Sequence, residues 1–256
     1  MIINYIVEKC WCGATETIEV FNGIWYANNI QVATKLGKCI NCKTIRTLSA
    51  NNNWQINYDD TSIYNEISYR HKKSIDTILA YAQSGNLLEI GCSTGLVLLE
   101  IEKKRKDIIL VGIDLNQKAL EKSVDKTLNL IYTDIDGVNS QFDNIVAMHV
   151  IEHIPDLESF FDKLLKLTKK NTLVYFALPN IESLNYKMKK EYWGALNPLE
   201  HSWQFSPTTF KKVISHYLPK STILCCKTSW VWKPRLVGFL GNVILSGDQI
   251  EIVIKI

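Results

Sequence analysis

Hydrophobic positions along this 256-residue chain follow two spacings. Short apolar runs, typical of buried strands, are separated by segments in which apolar residues recur at helical spacing. The strand candidates are residues 87–90, 108–114, 128–133, 142–150, 171–178, 221–232 and 249–256. Strands that alternate with helices predict an α/β fold with a doubly wound, mostly parallel sheet of seven strands.

Helical patterns lie before and between these strands. The helix predicted over 64–82 carries apolar residues at helical spacing and is expected to end before Gly85. A second helix follows Asp156, which can cap its first turn. A third begins with Ser206 as the cap and Pro207 at the first helical position.

The first 60 residues follow a different pattern. Two β-prone runs, 16–21 and 30–34, are separated by the turn-forming segments FNGIW and ANN, and the polar segment 49–60 is typical of a linker. We therefore predict a small β annex over residues 1–60 and a main domain over 61–256. An insertion at about 179–207, after the fifth strand of the main domain, is too long for a simple connection and is expected to serve function.

The annex contains four of the seven cysteines, Cys10, Cys12, Cys39 and Cys42. Two pairs joined by a hairpin-length span can supply four thiolates to a tetrahedral zinc ion; the alternative is four unrelated buried cysteines. The Cys10-x-Cys12 spacing is one residue tighter than that of typical structural sites. Such an ion would be structural, because four thiolates leave no open position for chemistry.

Composition, charge and the absence of a targeting pattern indicate the class of protein and its cellular compartment. The chain is 46% hydrophobic and 21% charged, as in ordinary globular proteins, and its net charge of +3 gives no strong attraction to nucleic acid. The start, MIINYIVEKCWC, lacks the basic region of a signal peptide, and the apolar stretch 236–245 is too short to span a membrane. We expect a cytoplasmic protein with no transmembrane segment. Residues 236–245 could touch a lipid-linked acceptor or a second subunit in a homodimer, but core packing is the commoner role of such a segment.

The segment LLEIGCSTG, residues 87–95, ends the first strand of the main domain in a glycine turn. Gly91 and Gly95 let the backbone approach a ligand, but the turn lacks the third glycine of the G-x-G-x-x-G dinucleotide fingerprint. Asp114 ends the next strand, where a carboxylate can accept hydrogen bonds from two ribose hydroxyls, and Asp134 follows the third strand. Together these features indicate an adenosine site without a phosphate-binding element.

The motifs LLEIGCSTG, VGIDLN, IYTDID and FDNIVAMHVIEHIPD resemble, in order and spacing, those of class I S-adenosylmethionine-dependent methyltransferases. The resemblance covers roughly residues 64–256 and implies a Rossmann-like sheet with S-adenosylmethionine as the methyl donor. Arg70, with Tyr64 and Tyr69 on the preceding helix, could close over the donor's carboxylate or form a solvated face. The donor-binding residues implied by the motifs are Glu89, Gly91, Ser93, Gly95, Asp114, Leu115, Asp134, Ile135 and Met148.

The cysteine pairs are similar to the zinc ribbon that precedes the catalytic domain in a set of bacterial methyltransferases. The segment NPLEHSWQFSPTTF resembles the E-H-x-W-x-F-S-P segment of methyltransferases that act on sugars and surface-glycan precursors. This resemblance implies O-methylation of a nucleotide sugar or of a glycan precursor of a surface polysaccharide such as a capsule or O-antigen.

Histidines are the candidate bases for a hydroxyl acceptor. His201 is the first choice, with a role in fastening the insertion as the alternative, and His149 and His153 compete with it. Glu152 and His153 could instead organise their loop or, as in some quinone-type methyltransferases, bind a divalent ion. Trp193, Trp203 and Phe205 in the insertion could stack on a sugar or pack the insertion, and packing is the commoner role.

Three other functions compete with this interpretation. Methylation of ribosomal RNA is disfavoured because residues 1–60 hold five basic and five acidic side chains, where an RNA-binding annex should be basic. A quinone-like small molecule is opposed only by the segment around His201. In a non-catalytic scaffold the annex would dock a partner, but a scaffold has no need of a ribose-binding carboxylate.

Overall fold

The computed structural model describes residues 6–27, 30–51, 66–123, 125–230 and 247–256. The strands are β1 (Thr17–Ala27), β2 (Ile30–Cys39), β3 (Ile45–Asn51), β4 (Gly85–Ile90), β5 (Ile108–Asp114), β6 (Asn129–Tyr132), β7 (Phe142–Met148), β8 (Thr168–Pro179), β9 (Trp203–Gln204), β10 (Thr222–Ser229) and β11 (Gln249–Lys255). The helices are α1 (Tyr69–Tyr81), α2 (Leu96–Lys104), α3 (Gln117–Glu121), α4 (Leu157–Lys166), α5 (Leu184–Lys189) and α6 (Pro207–Tyr217).

Seven strands form the central sheet in the order β10, β11, β8, β7, β4, β5, β6. Strands β4 to β8 are parallel to one another, whereas β11 is antiparallel to both of its neighbours, β8 and β10. The predicted α/β fold with a mostly parallel seven-stranded sheet is therefore confirmed. The strand order reverses between β4 and β7, which is where ligands bind in open sheets of this kind.

Helices cover both faces of the sheet and divide the core into two layers. On one face, Ile75 and Ile78 of α1 pack with Leu98 of α2. On the other face, Phe161 of α4 packs with Phe210 of α6. Because each helix has one apolar side, two layers of helices are needed to bury both faces of a parallel sheet.

Helix α1 begins later than its apolar spacing predicts. Ser68 accepts a hydrogen bond from the His71 backbone N–H, and the His71 side chain accepts one from the Ser68 backbone N–H. This reciprocal capping fixes the start of the helix at Tyr69. The helix ends at Tyr81, and Gly85 begins β4 instead of closing the helix. Residue 64 lies outside the described residues.

The annex differs from its prediction in two places. The expected turn in FNGIW is absent, because β1 continues through it with only a register shift between Glu19 and Phe21. The expected linker is strand at its start, since β3 extends to Asn51, and residues 52–60 lie outside the described part of the chain. The apolar segment 236–245 and the boundary expected between residues 60 and 61 also fall outside it.

The annex and the insertion share one sheet of four strands in the order β1, β2, β3, β9. Strand β9 belongs to the insertion and pairs antiparallel with β3 of the annex. Thr47 Oγ1 of β3 donates a hydrogen bond of 2.7 Å to the carbonyl oxygen of His201. Trp25 Nε1 of β1 donates one of 3.1 Å to the carbonyl oxygen of Trp193. The annex therefore holds the insertion in place over the main sheet.

No helix within the described ranges combines the length and apolar character needed to cross a bilayer.

The Thr47 contact gives a testable stability effect. Thr47 is fully buried, so Thr47→Val leaves the His201 carbonyl without its side-chain donor at nearly unchanged volume. We expect a loss of about 1–3 kcal/mol in the free energy of unfolding, measured by urea denaturation. The matched control is Thr222→Val at an exposed position of β10, where a change within about 0.5 kcal/mol is expected. Equal losses in the two variants would contradict this account of how the insertion is held.

Candidate active site

The turn between β4 and α2 depends on two glycines with positive φ. Gly91 has φ of +74° and Gly95 has φ of +80°, a conformation that residues with a Cβ rarely adopt. A Cβ on Gly91 would lie 2.7 Å from Val150 Cγ2, and one on Gly95 would lie 2.9 Å from Leu128 Cδ1. The glycines thus serve backbone geometry and packing, and Gly91 brings this turn against the loop that follows β7.

Asp114, at the carboxyl end of β5, fixes the same turn. Its Oδ2 accepts a hydrogen bond of 2.7 Å from the Ser93 backbone N–H, and its Oδ1 accepts one of 2.7 Å from the Asn116 N–H. Burial raises the pKa of Asp114, against the effect of these backbone hydrogen bonds. Each carboxylate oxygen has a second lone pair, so Asp114 can hold the turn and still accept hydrogen bonds from a ligand.

Glu89, one residue before the end of β4, is a buried acid that can accept further hydrogen bonds. It is 3% exposed, and its Oε2 has no hydrogen-bond partner. Burial, followed by repulsion from Asp114, raises the pKa of Glu89 well above its usual value. The Ser93 hydroxyl oxygen is also buried without a partner. Buried polar atoms that lack partners are rare, and here two of them line one turn, as expected for a polar ligand site.

The remaining predicted donor-site residues take varied positions. Asp134 is exposed, and its Oδ1 accepts hydrogen bonds from the backbone N–H groups of Asp136 and Gly137, so it caps a short 3-10 turn. Leu115 is 61% exposed and follows Asp114 directly. The last three lie elsewhere around the sheet: Ile135 packs on the core, Met148 is buried at the end of β7, and Arg70 lies in the first turn of α1.

His149 follows β7 with a φ of +54° and is held at both ring nitrogens. Its Nδ1 lies 3.2 Å from Glu152 Oε1, and its Nε2 lies 2.9 Å from Gln249 Oε1. Its backbone N–H donates to the carbonyl oxygen of Ala177 on the neighbouring strand. His149 is therefore fixed between the β7 loop and β11.

His153 and His201 meet edge to face, with their ring centroids 4.6 Å apart. His153 Nδ1 lies 3.0 Å from the carbonyl oxygen of Glu200, to which it donates. His201 is 6% exposed, and burial, followed by the charge of His153, lowers its pKa to about 3. An imidazole with this pKa is neutral at pH 7 but only weakly basic.

Glu152 lies beneath these imidazoles and is 1% exposed. Burial alone would raise its pKa, but the hydrogen bond with His149 and the nearby His153 and His201 bring it down to about 2. Glu152 is thus a buried carboxylate. Its backbone carbonyl accepts a 2.8 Å hydrogen bond from the Ser202 N–H, which joins the β7 loop to the insertion.

The structure therefore brings together all three predicted catalytic histidines, and Val150 places their loop against the glycine turn. Gln249 was missed by sequence reasoning, because it lies 100 residues after His149 and no local pattern connects them. Three aromatic residues of the insertion, Trp193, Trp203 and Phe205, are each no more than 5% exposed. This burial favours packing over stacking on a sugar. Trp203 Nε1 donates a 2.7 Å hydrogen bond to the Ile154 carbonyl oxygen and so fastens the insertion to the β7 loop.

The four annex cysteines also converge. Their sulfur atoms all lie within 4.8 Å of one another, with Cys10 Sγ 3.4 Å from Cys42 Sγ and Cys12 Sγ 3.6 Å from Cys39 Sγ. Tetrahedral zinc with zinc–sulfur bonds of about 2.3 Å places sulfur atoms roughly 3.8 Å apart, so the quartet fits such an ion. Arg46 donates hydrogen bonds to three carbonyl oxygens of the first loop, those of Glu8, Ala14 and Thr15.

The family profile described as a methyltransferase domain matches residues 65–217 of the chain. The chain belongs to this family. The matched residues include the glycine turn, Asp114 and the histidine cluster. They also include the whole insertion, whereas the cysteine quartet lies outside the match.

Two relatives are ubiquinone biosynthesis O-methyltransferases. The mitochondrial enzyme of Dictyostelium discoideum is 26% identical over 163 residues, which are 56% of this chain and 49% of the relative. The enzyme of Pelagibacter ubique is 30% identical over 129 residues, which are 47% of this chain and 50% of the relative. The chain thus spans about half the length of the curated relatives it matches.

Solved structures share the fold. The plantazolicin methyltransferase BpumL, in complex with a pentazolic desmethylPZN analog and SAH, aligns with a TM-score of 0.59 at 16% identity, over 77% of this chain and 89% of that one. A SAM-dependent methyltransferase from Archaeoglobus fulgidus aligns with a TM-score of 0.54 at 17% identity, over 77% of this chain and 100% of that one. At these identities the similarity shows the fold.

Proposed function

We propose that this protein transfers a methyl group from S-adenosylmethionine to a hydroxyl oxygen of a sugar or glycan precursor. The observation that carries the proposal is the contact of Val150, in the loop that carries His149 and His153, with Gly91 of the glycine turn. A donor held by the turn and an acceptor held by the cluster would meet at the carboxyl ends of β4 and β7. This is the place where the order of the strands reverses.

The donor assignment is supported by unused polar atoms around the turn. Asp114 can accept hydrogen bonds from the two ribose hydroxyls, and Glu89 Oε2 and Ser93 Oγ can bind the methionine part. The turn offers no third glycine for a pyrophosphate, which disfavours a dinucleotide. When bound, S-adenosylmethionine supplies the methyl group as an electrophile on a positively charged sulfur.

The acceptor assignment is supported by the chemistry of the cluster. Methyl transfer to a hydroxyl needs the acceptor oxygen in line with the donor and a group that receives its proton. The buried His201 is neutral at pH 7, as a base must be, and its Nδ1 has no hydrogen-bond partner. His149 is engaged at both ring nitrogens and is better suited to positioning Glu152.

A phenolic hydroxyl on a quinone-like small molecule is the second candidate acceptor. It is favoured by the two ubiquinone biosynthesis O-methyltransferases among the relatives. A phenol loses its proton more readily than a sugar hydroxyl, so it would place less demand on the weakly basic His201. The sugar assignment rests instead on the E-H-x-W-x-F-S-P segment that contains His201.

We also propose that the cysteine quartet holds one structural zinc ion. The four sulfur atoms fit a tetrahedron, and the ion would join the turn between β2 and β3 to the first loop of the annex. Because the annex holds the insertion through β3 and β9, the ion would stabilise the acceptor side of the site from a distance.

Donor binding should release a proton from Glu89. Burial keeps Glu89 protonated at a pH where an exposed glutamate is ionised, and the amino group of the ligand favours the ionised form. The affinity for S-adenosylhomocysteine should therefore rise with pH until free Glu89 is itself ionised. Calorimetry in two buffers of different ionisation enthalpy measures the proton released, which should vanish in Glu89→Gln. Equal release by that variant would contradict the assignment.

The acceptor class can be tested directly with methyl-labelled S-adenosylmethionine. Separate panels of nucleotide sugars, phenolic quinone precursors and RNA are incubated with the protein, and with Asp114→Asn as the inactive control. We expect label in the nucleotide sugars. Label only in the phenols would support the second candidate, and label only in RNA would contradict both. S-adenosylhomocysteine that fails to bind at all would favour a non-catalytic scaffold.

The zinc assignment predicts the metal content of cysteine variants. Cys39→Ser should contain about one zinc ion per chain less than the unchanged protein, measured by plasma mass spectrometry on samples purified without chelators. The matched control is Cys226→Ser on β10, outside the quartet, which should retain the metal. An unchanged zinc content in Cys39→Ser would rule out the quartet as the site.

A further inference from the structure

A fully buried glutamine lies between helix α1 and the central sheet. Gln249 is the first residue of β11, and its side chain is inaccessible to solvent. The residues that alternate with it along the strand, Ile250, Ile252 and Ile254, pack in the core layer that contains α4 and α6. Gln249 therefore faces α1, on the other side of the sheet. A buried amide is unfavourable at such a position unless its hydrogen bonds are made.

Both ends of the Gln249 amide have partners. Its Nε2 donates a hydrogen bond of 3.0 Å to Ser74 Oγ of α1, and it also lies 3.5 Å from Ser229 Oγ of β10. Its Oε1 lies 2.9 Å from His149 Nε2. Because a carbonyl oxygen only accepts hydrogen bonds, His149 Nε2 carries a proton and donates it. Gln249 thus determines the orientation of the His149 ring and the position of one ring proton.

The backbone of His149 needs this support. Its φ of +54° lies in the left-handed region, which is uncommon for a residue with a Cβ. Such conformations persist only where the surrounding structure determines them, and they concentrate at active sites. Here the ring contacts Gln249 and Glu152, and the backbone N–H donates 2.7 Å to the carbonyl oxygen of Ala177.

The same row of contacts continues to the acceptor side of the crevice. His149 Nδ1 lies 3.2 Å from Glu152 Oε1, and the Glu152 carbonyl oxygen accepts a 2.8 Å hydrogen bond from the Ser202 N–H. Ser202 directly follows His201 in the insertion. Hydrogen bonds therefore connect α1, through Gln249 and His149, to the segment that carries the proposed base.

The other end of this row lies beside the first turn of α1. Arg70 precedes Ser74 by four residues and so lies on the same face of the helix. Burial, followed by the charges of Arg70 and His149, lowers the pKa of His71 to about 4, which places this turn near His149. It is also the turn that is expected to close over the carboxylate of the methyl donor.

We propose that Gln249 and Ser74 are positioning residues, which hold His149, and through it the insertion, in register with the donor-side helix α1. The role of this arrangement in methyl transfer rests on the proposed function. The orientation of the His149 ring does not, since it needs neither donor nor acceptor.

A second contact between the same two elements supplies a matched control. Thr77 Oγ1 of α1 donates a hydrogen bond of 2.5 Å to Glu251 Oε2 of β11, further along both elements and away from His149. If Gln249 only tied the helix to the strand, loss of either contact would have the same effect. If Gln249 positions His149, Thr77→Val should leave the ring unchanged.

NMR of the free protein labelled with ¹⁵N-histidine tests the orientation of the ring. His149→Asn identifies the His149 signals among those of the five histidines. We expect His149 Nε2 to be protonated, with a proton that exchanges slowly with solvent. Gln249→Met, which removes the acceptor at similar volume, should shift the Nε2 signal and lose the slowly exchanging proton. Thr77→Val should keep both.

Kinetics test the role in transfer, with the nucleotide sugar or phenol that accepts the methyl label. Gln249→Met should lower kcat roughly ten- to a hundredfold, since a misplacement of about 1 Å can cost about a hundredfold. Its KM for S-adenosylmethionine should not change, and Thr77→Val should keep the kcat of the unchanged protein. If circular dichroism shows Gln249→Met unfolded, Ser74→Ala decides, because it leaves the amide only its 3.5 Å contact with Ser229.

Three results would overturn the proposal. An unchanged His149 Nε2 signal in the folded variant would mean that Gln249 does not hold the ring. A changed signal with an unchanged kcat would remove the role in transfer, and equal changes in Thr77→Val would reduce Gln249 to a tie between α1 and β11. A protein that methylates none of the acceptor panels leaves the NMR result standing, so failure of the proposed function is distinguishable from failure of this inference.

Discussion

The reversal of strand order between β4 and β7 is the constraint on which the rest of the structure depends. In a parallel sheet all carboxyl ends lie at one edge, and the loops on either side of the reversal turn away from each other and leave a crevice. The glycine turn leaves β4 at this edge and the histidine loop leaves β7. Asp114 at the end of β5 ties the turn down through the Ser93 amide. The glycine turn and the histidine loop meet because of that arrangement.

The annex and the insertion form a second unit that completes the crevice. Strands β3 and β9 pair across a long separation in sequence, and the Thr47 hydroxyl bonds the carbonyl of His201. Trp203, buried to 1% exposure, links the same segment to the β7 loop. The position of His201 is therefore set by elements from both ends of the sequence, and a metal ion in the quartet would act on the acceptor side through this sheet.

Much of the main domain could be predicted from the sequence, because its strands and helices each show the spacing of apolar residues that is typical of their type. The strand ends at Ile90 and Asp114 and the cap at Ser206 are local signals, and the structure agrees with them. The turn expected at Phe21–Trp25 was wrong because cross-strand pairing with β2 overrides the local preference of Asn22 and Gly23. Such pairing is tertiary information that composition does not contain.

The site residues also divide into those that local sequence patterns predict and those that only the fold brings together. Glu89 at the end of β4, Ser93 in the turn that follows it and Asp114 at the end of β5 were identifiable from local patterns, but the contacts of Gln249 with His149 and of Thr47 with His201 join distant segments. A crystal structure with S-adenosylhomocysteine tests the central claim most directly. The account predicts the ribose hydroxyls within hydrogen-bond distance of Asp114 and the sulfur between the glycine turn and the β7 loop. A ligand bound elsewhere, with Asp114 contacting only the backbone, would contradict it.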